Sequence, residues 1–161
     1  LPLLTGEDMK KVFFARAALE GMAAFLLAEN HSDEALAELS DVIKKQRELI
    51  ETGVRMGEYA SLNGRFHFAL VEHAKNNYII RSFSPIYWRS IMYTLLYATF
   101  YTGNEVEALH HPRRPSWEQH QEILEAVRSG RGEDARRITE AHVLENCEYW
   151  KEGVSLAGPG L

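Results

Sequence analysis

The segment SLNGRFHFALVEHAK, residues 61–75, places Phe66, Leu70 and Ala74 at helical spacing on one face. Asn63 and His67, four residues apart, stand one above the other on that same face. Outward from this stretch the pattern repeats. Apolar residues recur at helical spacing throughout, strand signals are nearly absent, and no proline occurs between Pro2 and Pro85. The spacing predicts an all-α antiparallel bundle of about six helices, with short connections and with sites built between facing helices. The first helix runs from after Thr5 to about Asn30, where T-G-E-D reads as a capping box with Asp in the acidic place. The second starts after Ser32 and ends near Gly53, with Leu36, Leu39, Val42/Ile43 and Leu49/Ile50 in one stripe. The third covers Glu58 to Lys75, and the fourth Tyr78 to Thr102 with a bend expected at Pro85. Asn104 to Pro115 reads as a loop. The fifth helix starts at Ser116, where S-W-E-Q fits a capping box, and stops near Gly130; the sixth runs from Glu133 to Glu152. Residues 1–7 read as a linker from a preceding segment, 8–153 as the helical domain and 154–161 as a flexible tail.

Composition narrows the function classes. The chain has 161 residues, 45% of them hydrophobic, enough for one domain with a sizeable core. A formal net charge of −5 argues against nucleic-acid binding by this chain, because phosphate neutralisation needs a basic face. Cys147 is the only cysteine, which excludes an internal disulfide and a thiolate-rich zinc site and fits a reducing, cytoplasmic compartment. Lys10-Lys11 followed by VFFARAALEGMAAFLLA has the outline of a targeting segment, but Arg16 and Glu20 interrupt a run of only 17 residues. It reads as a helix buried on most sides.

Polar residues on inward faces carry the functional signal. His120 leads an apolar row with Ile123, Leu124 and Val127, and His142 follows Ile138 on the last helix. Unpaired buried polar groups cost roughly 1–3 kcal/mol each, so three inward imidazoles with an amide in register need a shared reason. A bound metal ion supplies one. Three imidazole nitrogens and one amide oxygen, from Asn63, His67, His120 and His142, suit zinc, nickel or ferrous iron better than magnesium or calcium, with zinc or nickel first. Such a set leaves two places of an octahedral ion open and favours a carboxylate there. The competing reading is three histidines satisfied by hydrogen bonds within a plain helical interaction module.

Arg16 shares a stripe with Val12, Leu19, Ala23 and Leu26. A guanidinium there pairs with a carboxylate ligand, pairs with a protein carboxylate such as Glu20 at i+4, or snorkels to the surface. Arg89, after Trp88, is a weaker candidate of the same type. Tyr93, Tyr97 and Tyr101, at i, i+4 and i+8, read as core and subunit contact, with a ligand-bonding hydroxyl as the alternative. His31, His73, His110 and His111 read as bland. No nucleophile motif, glycine-rich phosphate loop or H-E-x-x-H is present, so the chain reads as a non-enzyme. A metal-dependent hydrolase or oxygenase on the same histidines is the alternative, and it lacks an obvious general base.

Five segments in order then take on a familiar form: R-A-A-L-E-G (16–21), L-N-G-R-F-H-F-A-L (62–70), N-N-Y-I-I (76–80), H-Q-E-I-L-E-A-V (120–127) and A-R-R-I-T-E-A-H (135–142). Together they resemble the FCD domain, the C-terminal effector-binding domain of the FadR branch of GntR-family bacterial transcription regulators, over about Asp8 to Glu152. The resemblance implies an antiparallel bundle around a ligand cavity, a homodimer, and a small organic acid as effector. It also implies a metal held by an Asp or Asn, the His four later and two later histidines. Those positions are Asn63, His67, His120 and His142, and the arginine of the first motif is Arg16. Where many relatives have Asp this chain has Asn63. DNA contact, in this reading, belongs to a winged helix-turn-helix domain outside this chain.

Overall fold

Thr5 and Ser32 open the first two helices as the sequence predicts. Each has extended backbone, and each hydroxyl accepts from the N–H three residues on, Asp8 and Ala35. A computed structural model of the chain describes residues 4–53, 56–97 and 115–156. Among them are α1 (Gly6–Glu29), α2 (Asp33–Thr52), α3 (Met56–His73), α4 (Asn77–Tyr97), α5 (Ser116–Arg128) and α6 (Gly132–Leu156), and no strand. The all-α bundle is therefore the observed architecture. The expected loop over 104–114 and the end of the fourth helix beyond Tyr97, with Tyr101, His110 and His111, lie outside the described residues.

Three local expectations need correction. Asp8 does not close a capping box. Its carboxylate takes hydrogen bonds from Arg89 and the Tyr93 hydroxyl, and the Thr5 N–H donates to that hydroxyl at 3.3 Å. An aspartate side chain is one methylene shorter than the glutamate that normally reaches back. Ser116 is the first helical residue of α5 rather than its cap; Pro115 holds the cap position without a side-chain bond. Finally, α6 continues through Gly153 to Leu156. A single glycine costs only about 1 kcal/mol in a helix whose hydrogen bonding already propagates.

The central element is α1, which lies against α3, α4, α5 and, most extensively, α6. Met9, Phe13, Ala17, Ala23, Ala24, Leu27 and Ala28 are buried on several sides of it, which explains its continuous apolar run. No helix among the described residues is long and apolar enough to cross a membrane. The main core joins α1, α2, α3, α5 and the start of α6 through Leu27, Leu39, Phe66, Leu70, Ile123 and Leu124. A second cluster of Phe13, Tyr93, Val143 and Cys147 closes one end, so the single thiol is packing. Pro85 lies on the exposed side of α4, and the helix continues through it. Gly53, at φ +107°, lets the chain leave α2 with a backbone that other residues avoid.

Candidate metal centre

His67 from α3, His120 from α5 and His142 from α6 converge in the interior and are 2%, 0% and 4% exposed. Their ring centroids lie 4.9–5.3 Å apart, and one nitrogen from each falls within 4.8 Å of the others. Phe66 stacks on His120 at 3.8 Å with 9° between the planes, fixing that ring from behind.

The outer nitrogen of every ring is engaged. Nδ1 of His67 meets Glu20 Oε2 at 2.5 Å, Nδ1 of His120 meets Gln46 Oε1 at 2.9 Å, and Nδ1 of His142 meets Gln119 Oε1 at 2.8 Å. A carboxylate or carbonyl oxygen only accepts, so with the rings neutral and the two amides turned this way each Nδ1 carries the proton and each Nε2 presents a lone pair. The lone pairs of His120 and His142 then face each other across 3.3 Å. Two lone pairs at that distance repel unless a proton or a metal cation lies between them. Two imidazole nitrogens on one ion at about 2.0–2.1 Å would stand about 2.8–3.4 Å apart, so the spacing of His120 and His142, and the chemistry of the three donors, fit a nitrogen-preferring divalent metal. Outward acceptors on every ring are the arrangement that orients ligating histidines.

Charge is arranged to match. Burial lowers the proton affinity of His67; Glu20 raises it and Arg16 lowers it, and the net is a ring below its ordinary 6.5. Burial, then the neighbouring His142, His67 and Arg16, holds His120 well below that value. Both rings are thus kept neutral, as ligation requires. Glu20 is fully buried, which alone would raise its carboxyl, but Arg16 and His67 more than reverse this and hold it at about 2. The consistent state is a cationic Arg16, an anionic Glu20 and a neutral His67. Arg16 donates from Nε to Glu20 Oε1 at 2.6 Å and from Nη1 to Ser90 Oγ at 3.1 Å, and its guanidinium lies 4.8 Å over the Tyr87 ring. Arg16 thus contacts the protein carboxylate that stands four residues on.

The remaining candidates fall as follows. Asn63 stands one turn before His67 on α3, half-buried, and its side-chain amide makes no hydrogen bond to a described residue. Arg89 is drawn to the start of α1, where Asp8 accepts from its Nε at 3.1 Å and its Nη2 at 2.9 Å; it is not brought to the histidines. Tyr93 is committed to Asp8 and Thr5 there, and His73 to Glu38 at 2.8 Å. Gly64 lets Tyr87 approach α3: a Cβ there would meet the Tyr87 hydroxyl at 2.8 Å.

Sequence reasoning did not place Glu20, Gln46 or Gln119 in the site. Glu20 carried a signal, as a second charge four residues from Arg16 in an apolar run. Gln46 also did, since it interrupts the α2 stripe between Ile43 and Leu49. Gln119 is adjacent to His120 and carried none.

Comparison with known proteins identifies the family. The FCD domain model matches residues 11–145. The chain is 24% identical over 148 residues to the uncharacterized HTH-type transcriptional regulator YdhC of Bacillus subtilis (strain 168), covering 92% of this chain and 62% of that protein. It is 28% identical over 160 residues to the HTH-type transcriptional regulator LutR of the same organism, covering 94% of this chain and 68% of that one. Helices, order of motifs and family match coincide, and the chain belongs to the FCD-domain family of GntR-type transcription regulators.

Proposed function

We propose that this domain senses a small carboxylate through a divalent metal, zinc or nickel first, held by Nε2 of His67, His120 and His142 with the Asn63 amide oxygen as fourth ligand. The observation that carries the reading is the set of three Nδ1 atoms facing protein acceptors while one nitrogen from each ring lies within 4.8 Å of the others. Arg16 and Glu20 cancel each other, and the ligands are neutral, so the ion keeps its charge for an anion. The metal supplies an electrophilic centre for a carboxylate; the chain's own residues hold the rings, exclude water and set the proton on each Nδ1.

The three histidines arrive on separate helices, so a ligand that draws α3, α5 and α6 together biases the bundle between two arrangements. In the parent regulator that bias passes to a DNA-binding domain outside this chain, in a homodimer. An exposed apolar row on α4, Trp88, Met92 and Leu95, supports a partner surface. The alternative, a metal-dependent hydrolase or oxygenase, needs a free general base. Glu20, the carboxylate hydrogen-bonded to a site histidine, already serves Arg16 and His67.

Calorimetric titration of zinc-loaded and chelator-treated protein with a panel of small mono- and dicarboxylates tests the reading. Binding by the loaded form alone, lost in His120→Ala, is expected. Equal carboxylate binding with and without metal would overturn it.

A further inference from the structure

Gln46 differs from the other two residues that hold the rings. Glu20 is an anion locked by Arg16 and can only accept. Gln119 accepts from His142 through Oε1 while its Nε2 donates to the Glu145 carboxylate, which orients its amide. Gln46 is fully buried, its Oε1 faces His120 Nδ1 at 2.9 Å, and its Nε2 has no hydrogen-bond partner among the described residues. A buried amide donor without a partner is unfavourable and calls for a second arrangement. Turning the carboxamide about its last torsion supplies one. Nε2 then donates to Nδ1 of His120, whose proton moves to Nε2 and points at the His142 lone pair 3.3 Å away. The ring stays neutral: one proton leaves Nδ1 to solvent and one arrives at Nε2. In that arrangement Oε1 takes the unpartnered place, where a carbonyl is tolerated better than an N–H, and the two facing nitrogens attract, but His120 has no lone pair for a metal.

We infer that Gln46 is a positioning residue that sets the metal affinity of the centre by choosing the His120 tautomer, accepting from Nδ1–H in the loaded state and donating to Nδ1 in the metal-free state. The inference rests on the metal reading above. It gives the centre a built-in competitor to loading that a carboxylate at residue 46 would remove.

The test compares wild type, Gln46→Leu and Gln46→Glu, using zinc alone in competition with a chromophoric chelator. Ring-nitrogen NMR of the metal-free proteins reports the His120 tautomer. Gln46→Leu, which removes the acceptor, should bind zinc 10–100-fold more weakly, in the range typical for loss of such a partner. Gln46→Glu should bind at least tenfold more tightly. Metal-free wild type should carry the His120 proton on Nε2, and metal-free Gln46→Glu on Nδ1. Zinc affinities within threefold of wild type in the leucine variant, or an Nδ1 proton in metal-free wild type, would overturn the inference. If wild type takes up no zinc, the metal reading fails, while the tautomer measurement still decides whether Gln46 governs His120.

Discussion

Replacing Glu20 by Gln removes one charge from the middle of the bundle with almost no change in shape. Two routes give the magnitude. The carboxyl falls from 4.5 in the unfolded chain to about 2 in the fold, and at about 1.4 kcal/mol per pH unit this is about 3 kcal/mol of stability at neutral pH. Independently, breaking a buried pair by deleting one partner costs about 3–5 kcal/mol, because the remaining charge is left uncompensated. That remaining charge is Arg16, 4% exposed, with Ser90 and the Tyr87 ring as its other neighbours. Urea unfolding of chelator-treated protein at pH 7 should therefore show Glu20→Gln destabilised by about 3–4 kcal/mol. The double variant Arg16→Met/Glu20→Gln should recover much of this, since it removes the orphaned cation and keeps an oxygen acceptor for His67. A Glu20→Gln protein within about 1 kcal/mol of wild type, or a double variant worse than the single, would refute the ion-pair reasoning.

Other consequences follow from the same geometry. His67 and His120 titrate below 6.5 in the fold, so the unfolded chain binds more protons and stability falls as pH drops below about 6.5. Glu20 has the depressed carboxyl, so its contribution disappears later, as pH falls from 4.5 through about 2. Melting curves of metal-free protein from pH 8 to 3 should decline from about 6.5, and a flat profile down to pH 5 would contradict the buried neutral rings. Zinc at a hundredfold excess over its Kd should stabilise the fold by about 2.7 kcal/mol, visible as a rise in Tm that His142→Ala abolishes. Gly64→Ala gains helix propensity of about 1 kcal/mol but drives a Cβ to 2.8 Å from the Tyr87 hydroxyl. A net loss of about 1–2 kcal/mol on denaturant unfolding, partly restored by Tyr87→Phe in the same chain, is expected; a more stable Gly64→Ala would show that Tyr87 yields freely.

The helices were legible because each signal is local. Thr5 and Ser32 cap through bonds to residues three positions on, and the apolar rows of α2 and α5 need only their own spacing. The three histidines were legible because each sits on an apolar row, which marks an inward direction without naming what lies opposite. What lies opposite was the obscure part. Gln46 meets His120 across 74 residues of chain and Glu20 meets His67 across 47, and no periodicity within one helix encodes such pairings. Arg16 shows the same limit: the choice between a ligand and Glu20 was open in the sequence, and the 2.6 Å contact exists because α1 is enclosed on several sides and leaves the guanidinium no route to water. The start of α5 at Ser116 was legible, but its cap was not: the S-W-E-Q pattern pointed to Ser116 as the cap, and the cap position falls one residue earlier, on Pro115.

X-ray absorption at the metal edge of zinc- or nickel-loaded protein addresses the histidine centre most directly. One ion per chain with three imidazole nitrogens at about 2.0–2.1 Å, and oxygen donors completing the shell, is the expected result. Stoichiometric loading that fails altogether, or an ion carrying fewer than three imidazoles, would mean that His67, His120 and His142 converge for a reason other than binding a metal.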